Sequence, residues 1–303
     1  MDKLVQILMS TYNGEIYLRE QIDSILKQKG VKVKLLIRDD GSNDGTVQIL
    51  REYEKKYKNI CVYCGENLGA CNSFLDILKY VDTNSEYFAF SDQDDVWNEY
   101  KLQRAIQKIS NEKNVPTLYC GQYITVNKKM EKIKYKYKKN NHIDDIFGNA
   151  LIESCCTGGT VVFNVSLLNL LQERIPKNAY MHDWWCYLVA AALGKIIYDE
   201  KPYLFYRQHE NNVLGVKGNI YTRFLKRIKN YNNLRLYVPK QLEDLKNLYV
   251  DKLSDKQMKQ INCIINKNKN PILRLSIFTT KGIKRCNKMD DILYKIMFLF
   301  WKL

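Results

Sequence analysis

No apolar run in these 303 residues approaches the roughly 20 needed to span a bilayer; the longest, Trp184 to Gly194, is about half that. The opening segment MDKLVQILMSTYN also lacks the charged, apolar and then small-residue order of a secretory leader, so a cytoplasmic chain is expected. Neither G-x-x-x-x-G-K-[ST] nor G-x-G-x-x-G occurs, which excludes a nucleotide held by a P-loop or a dinucleotide turn. Histidine is scarce, at three (His142, His182 and His209), and no second cysteine pair follows Cys61 and Cys64 at zinc spacing. The nine cysteines are odd in number and most lie in apolar runs. Cys61 and Cys64 fall within ICVYC and read as strand residues. No metal or redox use of cysteine is expected, and a reducing cytosol fits.

Acidic residues are short in one region only. Residues 217–303 hold 20 Lys/Arg against 6 Asp/Glu, whereas residues 1–216 hold 28 against 27. A nearly neutral body therefore carries a basic tail, and the net +15 belongs almost wholly to the tail.

The densest chemistry in the body is YFAFSDQDDVW, residues 87–97. Tyr87 to Phe90 is an apolar run of the kind a buried strand shows. Asp92, Gln93, Asp94 and Asp95 follow at its carboxyl end. Three carboxylates within four positions repel one another unless a cation neutralises them, and Mg or Mn carrying phosphate oxygens is the usual solution.

Strand and helix signals alternate through the first hundred residues. Leu4–Met9, Lys34–Ile37, Ile60–Tyr63 and Tyr87–Phe90 read as strands. Each is followed by apolar residues at helical spacing: Leu18/Ile22/Ile25/Leu26, Val47/Leu50/Tyr53/Tyr57, Phe74/Ile77/Leu78/Val81 and Leu102/Ala105/Ile106/Ile109. Such units build a mainly parallel sheet flanked by helices, with ligands beyond the carboxyl strand ends. The polar clusters STYNG (10–14), DDGS (39–42), GENLG (65–69) and the aspartate cluster all fall there. Further on, Thr117–Val126, Thr160–Phe163, Lys195–Tyr198 and Tyr203–Tyr206 read as strands and Asp183–Leu193 as an apolar helix. Residues 128–139 read as a basic hairpin or loop, and the chain beyond Gly218 reads as helical.

STYNG, RDDGSNDGT (38–46), GENLG, SDQDDVW (91–97), MHDWW (181–185) and YRQHENNVLG (206–215) together resemble the family-2 glycosyltransferases of the GT-A fold. The last segment is similar to a signature of bacterial rhamnosyltransferases of polysaccharide synthesis. The resemblance covers about the first 215 residues. It implies a transferase domain over 1–217, with a nucleotide-sugar half at 1–115 and an acceptor half at 116–217, followed by a basic helical extension at 218–303. It implies that Ser10, Thr11 and Tyr12 line the nucleoside pocket and that Asp40, with Asp39 beside it, accepts from the pyrimidine. Asn67 and Asn72 sit where ribose or diphosphate passes. Asp92 and Asp94 form the metal-binding pair, with Asp95 as a third candidate ligand of the Mg or Mn ion, and His209 closes the donor site. Asp183 is the implied general base, and Trp184 and Trp185 supply an apolar wall or sugar-stacking platform.

The expected partners are a nucleotide-sugar donor, with dTDP-L-rhamnose favoured, and a lipid-linked or soluble saccharide acceptor. A UDP-sugar donor is the alternative. The basic tail reads equally as a solvated helical face or as attraction to an anionic membrane surface, the latter supported by Ile292, Leu293, Ile296, Met297 and Phe300 along one helical face beside Lys295, Trp301 and Lys302. Nucleic acid is disfavoured because no recognised binding module accompanies the charge. A sugar nucleotidyltransferase would need a basic triphosphate loop where STYNG stands. A non-enzymatic scaffold would have no need of both the aspartate cluster and Asp183.

Overall fold

A computed structural model of the chain describes residues 3–82, 84–133, 145–209, 220–266 and 274–300, with the side chains of 220–230 and 232 left out. His142, Trp301, Lys302, residues 134–139 of the basic stretch and residues 210–215 of the last motif lie outside the described residues.

A seven-stranded sheet forms the centre, in the order β3 (Ile60–Cys64), β2 (Val31–Asp39), β1 (Lys3–Thr11), β4 (Tyr87–Ser91), β8 (Val162–Asn164), β6 (Thr117–Gly121) and β9 (Lys195–Asp199). β8 alone among these runs against its neighbours. Side chains alternate between the two faces, and each face is covered. Val5, Ile7 and Met9 of β1 join Leu35 and Ile37 of β2 beneath α1 (Leu18–Leu26), α2 (Thr46–Lys56) and α4 (Lys101–Ile109). Leu8, Leu36, Phe88 and Phe90 point the other way, toward α3 (Ala70–Ile77), α5 (Ile146–Ala150), α6 (Val165–Glu173) and α7 (His182–Leu193). Burial on both faces explains why these strands read as continuous apolar runs.

Thr117–Val126, expected as one strand, is two. After β6 the Gln122 amide donates to the Asp199 carbonyl of β9, and the chain then leaves for a second sheet, β5 (Val96–Trp97), β10 (Leu204–Arg207) and β7 (Ile124–Val126). β10 pairs antiparallel to β5 and parallel to β7. Beyond β7, an antiparallel bridge from Val126 to Lys132 closes the start of the basic stretch as a turn.

The extension comprises α8 (Ile220–Leu248), α9 (Asp255–Ile265), α10 (Ser276–Thr279) and α11 (Lys288–Leu299). It is not a solvated appendage. Val238, Leu242, Leu245, Tyr249, Ile261, Ile264, Tyr294 and Phe298 are buried in the same apolar cluster as α5–α7. The Tyr249 hydroxyl donates to the Leu170 carbonyl at 2.8 Å, and Asp244 accepts from the amides of Lys177 and Asn178 at 2.7 and 2.6 Å. The expected terminal stripe also divides: Leu293 and Met297 pack against the core, whereas Ile292, Ile296 and Phe300 are exposed. Tyr294 and Phe298 take the buried side instead: α11 packs on α8, with the Tyr294 ring 6.1 Å from that of Tyr231 and Phe298 beside Tyr294. Among the described residues no helix is long and apolar enough to cross a membrane.

Candidate active site

Register brings the polar strand ends together. Thr11 pairs with Asp39 across β1 and β2, and Met9 with Ser91 across β1 and β4. The loop after β1 is then bonded to the acidic loop by one side chain. The Tyr12 amide donates to Gln93 Oε1 at 2.9 Å, and Gln93 Nε2 donates to the Tyr12 carbonyl at 2.9 Å. Gln93 was no candidate in the sequence reading; its only signal is its place inside SDQDDVW.

Ser10 Oγ lies 2.6 Å from Ser73 Oγ, and Thr11 Oγ1 donates to Asp39 Oδ1 at 2.9 Å. Asp39 also accepts from the Ser42 amide and hydroxyl at 2.8 and 2.6 Å. Asp40 accepts from the amides of Leu68 and Gly69 at 2.8 and 2.9 Å and pairs with buried Arg38, which also reaches Asp76 at 3.1 Å. Both aspartates are buried and hold strand-end turns in place, so any acceptance by Asp40 from a base competes with three donors of the protein itself. Gly41, at φ 79°, supplies the left-handed residue that turns the chain after them. Tyr12, Asn67, Leu68 and Asn72 are the exposed side chains above this floor.

In the acidic loop, Asp95 is fully buried. Its Oδ1 accepts from the Arg207 amide at 3.1 Å, and its Oδ2 has no hydrogen-bond partner among the described residues. Burial, then Asp94 and Asp92, push the Asp95 carboxyl well up. Burial, followed by Asp94 and Asp183, pushes Asp92 up to about 7. Asp94 Oδ2 lies 2.8 Å from His209 Nε2, whose ring stacks on Tyr17 with centroids 5.0 Å apart. The structure thus joins His209 to the acidic loop. Arg207 secures the join: its Nε donates to the Asp94 carbonyl at 2.9 Å, and its guanidinium lies 4.6 Å from the Tyr17 ring and pairs with Glu20. Arg207 lies inside YRQHENNVLG, where its only signal is its place two residues before His209.

Asp183 stands in the first turn of α7, with Oδ1 accepting from the Trp184 amide at 2.7 Å. Burial pushes it up to about 6, against backbone donors at Trp184 and Gly158 that pull it down. Two consecutive glycines separate this carboxylate from the acidic loop. A Cβ on Gly158 would meet His182 Nε2 at 3.2 Å and Asp183 Oδ2 at 3.6 Å. On Gly159 it would meet Asp95 Oδ2 at 2.9 Å and Asp92 Oδ2 at 3.7 Å. The bare backbone therefore lets Asp183 and the Asp92/Asp95 pair approach the same strip of chain from its two sides.

Neighbours of Asp183 have other duties. His182 is buried, stacked on Phe74 at 3.8 Å and edge-on to Phe90 at 4.8 Å; burial pushes it down to about 3, so it stays neutral. Trp184 and Trp185, expected to face the acceptor, are 5% and 0% exposed. The Trp184 indole donates to the Ala150 carbonyl at 2.7 Å, and Trp185 sits in the core. Neither can stack on a sugar, because α7 is apolar on nearly every side and both rings point into the packing around it. Among the described residues Tyr237 of α8 stays open near this helix, 46% exposed, its ring 5.4 Å from that of Tyr180, which lies edge-on to Trp184 at 5.8 Å.

The mainly parallel sheet flanked by helices is a fold of the GT-A type, here with carboxylates at a strand end and a separate carboxylate across a glycine pair. The glycosyl transferase family 2 model matches residues 6–170, and the chain belongs to that family. It is 34% identical over 219 residues to the dTDP-rhamnosyl transferase RfbG of Shigella flexneri, covering 68% of this chain and 73% of that protein. An uncharacterized glycosyltransferase of Rickettsia typhi is 26% identical over 238 residues, covering 74% and 72%. Among solved structures, S. aureus TarS 1–349 in complex with UDP-GlcNAc superposes with a TM-score of 0.56 at 17% identity, covering 93% of this chain and 89% of that one. The mannosyltransferase PcManGT of Pyrobaculum calidifontis, in complex with GDP-Man and Mn2+, gives 0.51 at 14%, covering 99% and 88%. At these identities the two structures support the fold alone.

Proposed function

We propose that the chain transfers a sugar from a nucleotide diphosphate to a saccharide hydroxyl with inversion, in cell-surface polysaccharide synthesis, and that the donor is dTDP-L-rhamnose. The observation that carries the chemistry is the glycine pair, with Asp183 on one side and Asp92 and Asp95 on the other. Asp183 takes the proton of the acceptor hydroxyl as its oxygen bonds the anomeric carbon and the bond to the diphosphate oxygen breaks on the opposite face. A basicity near 6 suits that task at neutral pH, where the carboxylate is ionised yet still accepts a proton readily.

The acidic loop fits a divalent cation: the buried, unpartnered Asp95 oxygen and the raised Asp92 both describe carboxylates that need a positive charge. Asp92, Asp94 and Asp95 would hold Mg or Mn together with donor phosphates, and the ion would stabilise the charge that grows on the departing diphosphate. Ser10, Thr11 and Tyr12 would receive the nucleoside, with Asp39 and Asp40 fixing the floor. Asn67 and Asn72 would face the ribose or diphosphate, and His209 would orient Asp94.

The rhamnose assignment rests on the relative named as a dTDP-rhamnosyl transferase. We assign the acceptor to a lipid-linked saccharide presented at the cytoplasmic membrane face, supported by the basic extension and by exposed Met289, Ile292 and Ile296 on α11 and Phe300 just after it. Tyr237 takes over the acceptor-stacking role from the buried tryptophans. A panel of dTDP-, UDP- and GDP-sugars, read by donor hydrolysis and protection against heat, tests the donor. Preference for dTDP-L-rhamnose is expected; turnover confined to a UDP- or GDP-sugar overturns the rhamnose assignment.

A further inference from the structure

The loop between α5 and the glycine pair meets the strand of chain that leads into α11, and two thiols face each other there. Cys155 Sγ and Cys286 Sγ are 2.9 Å apart, although 131 positions separate them. Backbone and side-chain bonds hold the two segments in register. The Cys286 amide donates to Glu153 Oε2 at 2.8 Å, Arg285 pairs with Glu153 Oε1 at 3.2 Å, and Asn149 Nδ2 donates to the Lys284 carbonyl at 2.8 Å. Both cysteines are half-buried, whereas Cys120, Cys156 and Cys186 are buried. Cys61 and Cys64, the pair visible in the sequence, lie three apart on β3 and so point to opposite faces of the sheet.

The carboxylate of Glu153 lies with these sulfurs within 4.8 Å, the spacing of a metal-ligand set. Its two oxygens are already engaged by Arg285 and by the Cys286 amide, and a cation there would sit against a guanidinium. The arrangement suits a dithiol better than a metal.

We propose that Cys155 and Cys286 are a covalent modification site that forms a reversible intramolecular disulfide by exchange with a small-molecule disulfide of the glutathione class. One protein thiolate attacks a sulfur of the small disulfide, giving a mixed disulfide and releasing one small thiol. The second protein thiolate then displaces the other small thiol and closes the Cys155–Cys286 bond. Two protein thiols are oxidised, one small disulfide is reduced, and the two protons leave on its thiols. The bond fastens the extension to the loop that runs into Gly158 and Gly159, the backbone between Asp183 and the acidic loop. The hydrogen bond shared with Cys155, followed by burial, pushes the Cys286 thiol up, so exchange is slow. The pair is a lock on the fold, not a rapid sensor.

The test uses full-length protein incubated with oxidised glutathione and needs no assumption about the sugar reaction. Peptide mapping after alkylation should join the two cysteine peptides at a mass about 2 Da below their sum. The thermal midpoint should rise by about 5 °C, as expected for a bond that closes a long loop, and return on reduction. Cys286→Ser and, separately, Cys155→Ala should each abolish both changes. Alkylation of both residues in the treated protein, or glutathione left on Cys286 with no cross-link, overturns the proposal. Zinc alone shielding both thiols from alkylation, with no cross-link formed by the disulfide, overturns it in favour of a metal site.

Discussion

Asp183 and His182 are neighbours in one helix turn, and burial acts on them in opposite directions. It favours the neutral form of each, raising the acid to about 6 and lowering the imidazole to about 3. A base must be ionised to act, so turnover should climb with pH through about 6 and then level off. Asp183→Asn should cut turnover by about 10²–10⁴-fold while leaving donor affinity nearly unchanged. A parallel collapse of donor binding would assign Asp183 to structure and move the base elsewhere. His182 has no hydrogen-bond partner on either ring nitrogen among the described residues. His182→Phe should therefore keep or raise stability, whereas His182→Ala should cost about 2–4 kcal/mol by leaving a cavity beside Phe74 and Phe90. A urea denaturation series separates these outcomes; a Phe variant as unstable as the Ala variant would show that the imidazole is needed.

Two loops of the site act as elements because single side chains tie them. Among the described residues Gln93 bridges the Tyr12 backbone to the acidic loop through two hydrogen bonds. Gln93→Ala should raise KM for the donor roughly tenfold, about 1–2 kcal/mol, with a smaller change in kcat. An unchanged KM would mean that register alone places the Tyr12 loop. The acidic loop carries its own pH signature. Asp92 has a folded value of about 7, above the ordinary carboxylate value of 3.8. The folded state thus holds this proton more tightly than the unfolded chain, and its contribution to stability is full below about pH 4 and lost as pH rises toward 7. A divalent cation binds the ionised form. Added Mn or Mg should raise the thermal midpoint more at pH 8 than at pH 5.5; an equal shift at both would place the ion away from Asp92.

At the scale of the molecule, the basic extension completes the core as well as carrying charge. Cutting the chain near Gly218 would uncover Trp185, whose ring lies 6.4 Å from that of Tyr249, and remove the extension's share of the common core, so truncation would test folding before binding. Replacing exposed side chains is the cleaner change. Ile292→Ser/Ile296→Ser/Phe300→Ser should leave the thermal midpoint within a few degrees and weaken sedimentation with anionic liposomes. Rising salt should weaken attachment of the parent chain too, since charge attraction is screened over about 8–10 Å near physiological ionic strength. Retained binding by the triple variant would leave electrostatics as the sole attachment, and binding by neither protein at low salt would remove the membrane from the account.

Local pattern was enough for the nucleotide half. Its strands are buried on both faces and its helices on one, so apolar runs and helical spacing marked β1 to β4 and the helices between them, and the polar turns had to fall at the carboxyl ends. The acidic cluster stood out at a strand end in the same way, whereas Asp183 became a candidate through the resemblance to the family. Tertiary structure decided what sequence spacing has no means to express. It set the His209 ring against Asp94, drew Gly158 and Gly159 between two groups of carboxylates, and gave Gln93 the Tyr12 backbone as partner. It also turned Trp184 and Trp185 inward, into the core packed around most of α7, and folded the basic tail onto the body through Tyr249 and Tyr294. Periodicity reports which residues avoid water; which surface they find to avoid it against is fixed only when distant segments pack.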